Sequence, residues 1–193
     1  MQNAIEKIIR ESIEVKQKLL SNAELLHKVE NLASECAQTF YQNGKILFCG
    51  NGGSAADAQH IAAELSGRFY LDRPALFAEA LHVNSSFVTA VANDYGFDAV
   101  YARMVEAAGR EGDILFAIST SGNSSNIYNA VVKAKEIGML VVGLTGETGG
   151  KLKDVVDVLL NVPSGNTPRI QESHILLGHI LCELIEKELF QSK

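Results

Sequence analysis

His60 and Glu64 stand four residues apart in Ala55–Leu65, a stretch whose composition reads as a helix. An imidazole and a carboxylate at i and i+4 lie roughly 40° apart around a helix, on one face. So placed, they can bind a divalent metal or share acid and base work. A plain solvated pair on a helix surface has the same spacing. A second group, Gln171, Glu172, His174 and His179, lies in the last long apolar-periodic stretch. There Glu172 and His179 fall within roughly 20° of each other, and Gln171 and His179 roughly 80° apart. Spacing leaves the choice among them open. His27 and His82 have no such companions and read as incidental.

Two glycine- and hydroxyl-rich turns could hold the anionic end of a substrate. The first follows a buried strand, Lys45–Cys49, as Gly50-Asn51-Gly52-Gly53-Ser54, and runs into the helix of His60 and Glu64. Glycines allow close backbone approach, and the first amides of a helix have no intrahelical partner and favour negative charge. A tight strand-to-helix turn without a ligand has the same composition. The turn also fits a relaxed dinucleotide fingerprint, but that reading wants an acid at the end of the next strand, and Leu81-His82-Val83-Asn84 has none. The Walker pattern is absent. The second turn is Ser119-Thr120-Ser121-Gly122-Asn123-Ser124, after the strand Asp113–Ile118. Capping the following helix needs one hydroxyl; Ser119, Thr120, Ser121 and Ser124 supply an excess, which suits a phosphate dianion.

The elements that must position these residues alternate. Ile5, Ile8, Ile9, Ile13, Leu19 and Leu20 mark an amphipathic helix over residues 3–20. Ser21-Asn22-Ala23-Glu24 has the form of a capping box before a second helix to about Gln42. Beyond the first strand and helix, a polar connection spans Arg68–Pro74, followed by a weaker strand at Ala75–Val83. Helices are expected over Ser85–Ala92, Phe97–Ala108 and Ser125–Ile137, a short one over Gly149–Val155, and a long one from Pro168 to Phe190. Further strands are expected at Met139–Leu144 and Val158–Val162. Strands separated by helices argue for an α/β fold with a parallel sheet covered on both faces. In such sheets ligands bind beyond the carboxyl ends of the strands, where both turns lie. No linker or repeat divides the 193 residues, so one domain is expected over 1–193, with a helical pair at 1–43 and an α/β core at 44–193.

Hydrophobic residues make up 47% of the chain, enough for a full core. A net charge of −6 argues against nonspecific nucleic-acid binding. Cys36, Cys49 and Cys182 are scattered in apolar contexts without a CxxC, as buried thiols in a reducing compartment would be. No apolar run approaches the ~18 residues of a membrane span, and Met1–Glu6 lacks a signal-peptide core. A cytoplasmic protein with no membrane partner is the expectation.

Four blocks carry a resemblance: Cys49–Arg68, Ala90–Phe97, Ile118–Asn126 and Arg169–Glu186. Together, and in this order along nearly the whole chain, they resemble the bacterial phosphoheptose isomerase family, single sugar-isomerase (SIS) domain enzymes. The resemblance implies a flavodoxin-like three-layer α/β sandwich with N-terminal helices, assembled as a homotetramer with active sites between subunits. It implies conversion of sedoheptulose 7-phosphate to D-glycero-D-manno-heptose 7-phosphate through an enediol, the first step of ADP-heptose supply for lipopolysaccharide. On it, Ser119, Thr120, Ser121 and Ser124 hold the phosphate, and Asn51, Gly52, Gly53, Asn93 and Asp94 contact the sugar. Glu64 and His179 carry proton transfer, and a zinc site uses His60, Glu64, Gln171 and His179. Gln171 is thereby preferred to Glu172. Pro168 stands where some members carry an acidic residue, so an auxiliary acid at that position is missing.

A related scaffold of the same superfamily, which binds the bacterial replication initiator protein, is the competing expectation. Such scaffolds lose the acid and base residues, whereas Glu64, His179, His60 and Gln171 are all present here. A module that binds a phosphosugar without turnover is a third.

Overall fold

The computed structural model describes residues 1–191. Two N-terminal helices, α1 (Gln2–Leu20) and α2 (Ala23–Tyr41), precede the first strand, β1 (Ile46–Gly50). Then come α3 (Gly53–Ser66), β2 (Ala78–Ala80), α4 (Ser85–Tyr95), α5 (Val100–Ala108), β3 (Ile114–Ile118), α6 (Ser125–Ile137), β4 (Leu140–Thr145), β5 (Val158–Asn161) and α7 (Thr167–Phe190). Among the described residues the strands form one sheet, all parallel, in the order β2-β1-β3-β4-β5.

Every residue of β1 and β3 is buried, as a strand covered on both faces requires. Alternation then sorts their side chains into two cores. Ile46, Phe48, Ile114, Phe116 and Ile118 face α1, α2, α3 and α7, and Phe48 stacks on Phe116 with ring centroids 4.9 Å apart. Leu47, Cys49, Leu115 and Ala117 face α4, α5 and α6. This is the expected three-layer sandwich. The chain passes from β1 outward to β2, then returns so that β3 pairs with the other edge of β1. The order therefore switches between β1 and β3, whose carboxyl ends carry the two turns singled out above. Such a switch point leaves a crevice between the diverging connections.

Local departures from the expected elements have simple causes. Ser21 does not cap α2. The cap is Asn22, whose side-chain oxygen accepts from Leu25 N at 3.1 Å, while the Ser21 hydroxyl donates to Gln17 and Lys18 carbonyls at the end of α1. With the cap one residue later, Glu24 no longer reaches back and pairs instead with Lys28. β2 is confined to Ala78–Ala80, because it lies at the sheet edge and only its inner side has a partner. The short helix expected at Gly149–Val155 is a 3-10 turn over Leu152–Asp154. All three cysteines are buried free thiols. Among the described residues no helix is long and apolar enough to cross a membrane.

Candidate functional site

α7 threads the site. It starts beside the second turn, passes the first, and ends about three turns beyond His179. On α3, His60 and Glu64 face one another at 3.1 Å between Nε2 and Oε1. His179 Nε2 comes from α7 to 3.2 Å from His60 Nε2, across 119 residues of sequence. One potential ligand atom from each of the three residues lies within 4.8 Å of the others. Spacing placed the first two on one face; only the packing of α3 against α7 adds the third.

The rest of the group on α7 separates. Gln171 points at the first turn: a Cβ on Gly53 would sit 2.8 Å from Gln171 Cδ, so only glycine lets the two approach. Glu172 faces away, paired with Arg169, accepting from Ser12 Oγ at 2.7 Å and lying 3.8 Å from Lys16 Nζ, which ties α7 to α1. His174 is fully buried and donates from Nε2 to the Thr145 carbonyl at 3.1 Å. It is a core histidine rather than a ligand. Burial pushes its pKa down to about 4, against the pull of that hydrogen bond. In the unfolded chain the same ring titrates near 6.5, so acid adds a proton to the unfolded state first. Stability from this group is complete above about 6.5 and is lost as pH falls toward 4, by about 3 kcal/mol in all. Urea denaturation at pH 7 and pH 4.5 should show that loss, and His174→Gln should flatten the difference; equal slopes in both proteins would remove the assignment.

The first turn is braced from below. Gly52, at φ 55° and ψ −120°, adopts a backbone shape open to glycine, and the Tyr101 hydroxyl donates to the Gly50 carbonyl. Asn51 and Asn126 exchange amide hydrogen bonds at 2.8 and 2.9 Å, which couples this turn to the start of α6. Asn51, expected to contact sugar, thus has half of its amide engaged in bracing.

In the second turn Ser119 and Ser124 hydroxyls meet at 3.1 Å, and Ser121 Oγ accepts from Asn123 N at 3.2 Å with its own proton left to donate. None of these hydroxyls caps α6. Thr120 and Ser121, with Gly146, Thr148, Ser164 and Thr167, line a cleft of about 270 Å³ beyond the ends of β3, β4 and β5. Asn93 and Asp94 are exposed at the end of α4 and bond to each other at 2.8 Å.

Two residues, one beside the first turn and one beside His60, escaped sequence reasoning. Asn126 lies inside a recognised block but carries no charge to flag it. Asp57 sits one turn before His60; its Oδ2 is buried without a partner, and burial raises its pKa to about 6 despite His60 nearby. Its i, i+3 relation to His60 was visible, but its burial was not.

Comparison with known proteins then assigns the chain and its fold to a lineage. A SIS-domain family model matches residues 11–146. A phosphoheptose isomerase of Aneurinibacillus thermoaerophilus is 50% identical over 193 residues, covering 100% of this chain and 98% of its own. The chain belongs to the phosphoheptose isomerase family. A phosphoheptose isomerase of Mycobacterium tuberculosis is 51% identical over 185 residues, 96% of this chain and 94% of its own. The solved phosphoheptose isomerase of Neisseria gonorrhoeae superposes with a TM-score of 0.90 at 47% identity, over 96% of this chain and 98% of that one. That of Francisella tularensis gives 0.92 at 39%, with the same coverage. The family model stops before α7, so it is the full-length phosphoheptose isomerase relatives that extend the match across Gln171 and His179. The scaffold expectation finds no support among these relatives.

Proposed function

We propose that this chain isomerises sedoheptulose 7-phosphate to D-glycero-D-manno-heptose 7-phosphate. The observation that carries the reading is the meeting of Glu64, His60 and His179 from two helices, in a fold whose β3–α6 turn carries hydroxyls free of capping duty. The phosphate binds at Ser119, Thr120, Ser121 and Ser124, with hydroxyl protons and the α6 N-terminal amides as donors. The sugar lies against Asn51, Gly52, Gly53 and Gln171, with Asn93 and Asp94 at its far side.

Glu64 removes a proton from C1 of the open-chain ketose. The electron pair forms the C1–C2 double bond as His179 donates a proton to the C2 carbonyl oxygen, giving the enediol. Glu64 then returns its proton to C2, the C1 hydroxyl gives its proton back to His179, and the aldose results. The base and acid are recovered unchanged. His60, in hydrogen-bond reach of both, orients them.

Two imidazole nitrogens and a carboxylate oxygen within 4.8 Å are a donor set that fits zinc. His60, Glu64, His179 and Gln171 would hold it. A bound cation would polarise a substrate oxygen and keep Glu64 ionised. Ligation and proton abstraction compete for the same Glu64 oxygens, so metal dependence is the informative variable.

The test is incubation of the protein with sedoheptulose 7-phosphate, watching for a new aldose phosphate by NMR, with and without chelator and zinc. Product supports the isomerase; no product in any condition rejects it. Ser121→Ala is expected to raise KM about tenfold with kcat little changed, since one donor to a dianion is lost. An unchanged KM would remove Ser121 from the phosphate site.

A homotetramer with sites between subunits is part of this proposal. Its support is the face of α1, where Ile5, Ile8, Ile9 and Ile13 are all about half exposed or more. Sedimentation equilibrium should report four chains, and Ile9→Glu should shift the protein toward smaller species; a wild-type monomer would contradict the assembly.

A further inference from the structure

The connection after α3, read from sequence only as polar, converges on a buried carboxylate. Glu186 on α7 is 1% exposed. Its two oxygens accept from the backbone amides of Phe69, Tyr70 and Leu71 at 3.0, 2.9 and 3.0 Å, and from Arg73 Nε at 2.9 Å. Burial works against its charge, yet the amides and the guanidinium outweigh that and hold the carboxyl below its usual range. Arg73, with its side chain 2% exposed, reaches the other way. Its Nη2 donates to the carbonyl of Glu64 at 2.9 Å, and its Nη1 to those of Leu65 and Gly67 at 2.7 and 3.2 Å. The last carbonyls of a helix have no intrahelical partner, and a cation there also suits the helix dipole.

The two ends of this arrangement are the two halves of the catalytic pair. Arg73 grips the backbone of Glu64 itself. Glu186 lies two turns beyond His179, roughly 20° from it around α7. Between them, the loop pinned by Glu186 places the Phe69 ring 5.6 Å from the His179 ring.

We infer that the buried Arg73–Glu186 pair is a strut that sets the separation of Glu64 and His179, making both positioning residues for the isomerisation. Neither touches substrate. The inference rests on the proposed roles of Glu64 and His179. Proton transfer is sensitive to sub-ångström placement, so a slackened strut slows the chemical step and spares phosphate binding, which depends on the β3–α6 turn, a segment that neither Arg73 nor Glu186 is hydrogen-bonded to.

Arg73→Lys and Glu186→Gln test it, each with melting temperature, kcat and KM on sedoheptulose 7-phosphate. Lysine keeps the buried charge but cannot fork to Glu186 and three carbonyls at once. Glutamine keeps the size and one acceptor. In folded protein, kcat is expected to fall about 10- to 100-fold, with KM within about threefold of wild type. Wild-type kcat in either folded variant, or a loss that appears in KM instead, would overturn the strut. Should Glu186→Gln not fold, Arg73→Lys decides alone. A crystal structure of Arg73→Lys separates this inference from the functional reading. The His60–His179 spacing, 3.2 Å between Nε2 atoms in the native chain, is expected to change even if the wild type turns over no substrate. An unchanged spacing would overturn the strut whatever the activity.

Discussion

Glu64→Gln is expected to lower kcat by about 10³-fold while substrate still raises the melting temperature nearly as much as in wild type. The substitution keeps the shape of the side chain and its reach to His60, now 3.1 Å from the carboxylate, but removes the carboxylate proposed to take the carbon-bound proton. Binding should survive because the proposed phosphate donors lie on the β3–α6 turn, on other elements of the fold. Kinetics on sedoheptulose 7-phosphate and a thermal-shift titration with the same compound check the two halves together. Joint loss of turnover and stabilisation would show that Glu64 binds rather than abstracts.

Gly53→Ala is expected to lower activity about 10- to 100-fold with little change in stability. A methyl there collides with the end of the Gln171 side chain, whose Cδ would be 2.8 Å away. Gln171 is half-buried and long, so its amide can swing aside at small cost to the fold. It then no longer lies against the glycine turn, where the proposed site needs it. Gly122→Ala makes the contrast: φ is +67° and the new methyl would meet Gly149 C at 2.6 Å and Gly150 N at 2.9 Å, both backbone, so stability should fall by about 2 kcal/mol or more. Denaturation midpoints and kcat for the two variants separate a displaced functional side chain from a strained turn. Equal destabilisation would mean that Gln171 is locked in place and structural.

Much of the fold could be read from local chemistry. The runs at Lys45–Cys49 and Asp113–Ile118 lie in buried central strands because continuous apolar residues have nowhere else to go in a sheet covered on both faces. Asn22 displaced Ser21 as a cap because neighbouring side chains compete for the same amides, and one-residue choices depend on how the preceding helix ends. Among the site residues, those near in sequence were legible as sets. His60 with Glu64 follows from helix geometry, and the hydroxyls of Ser119–Ser124 from their excess over capping need.

What the amino-acid order determined by itself is the inventory: which segments are helices or strands, that strand ends carry glycine- and hydroxyl-rich turns, and that His60 and Glu64 share a face. Helical periodicity fixes angles around one axis and says nothing about the neighbour that axis meets. The tertiary structure alone therefore decided that α7 turns His179 toward His60 and Gln171 toward Gly53, while Glu172 anchors α1 and His174 enters the core. It alone buried Glu186 and gave it four donors from a loop more than a hundred residues away. Such pairings depend on strand order and layer packing, where the burial of apolar faces sets which helices touch, and only then do their polar groups find partners.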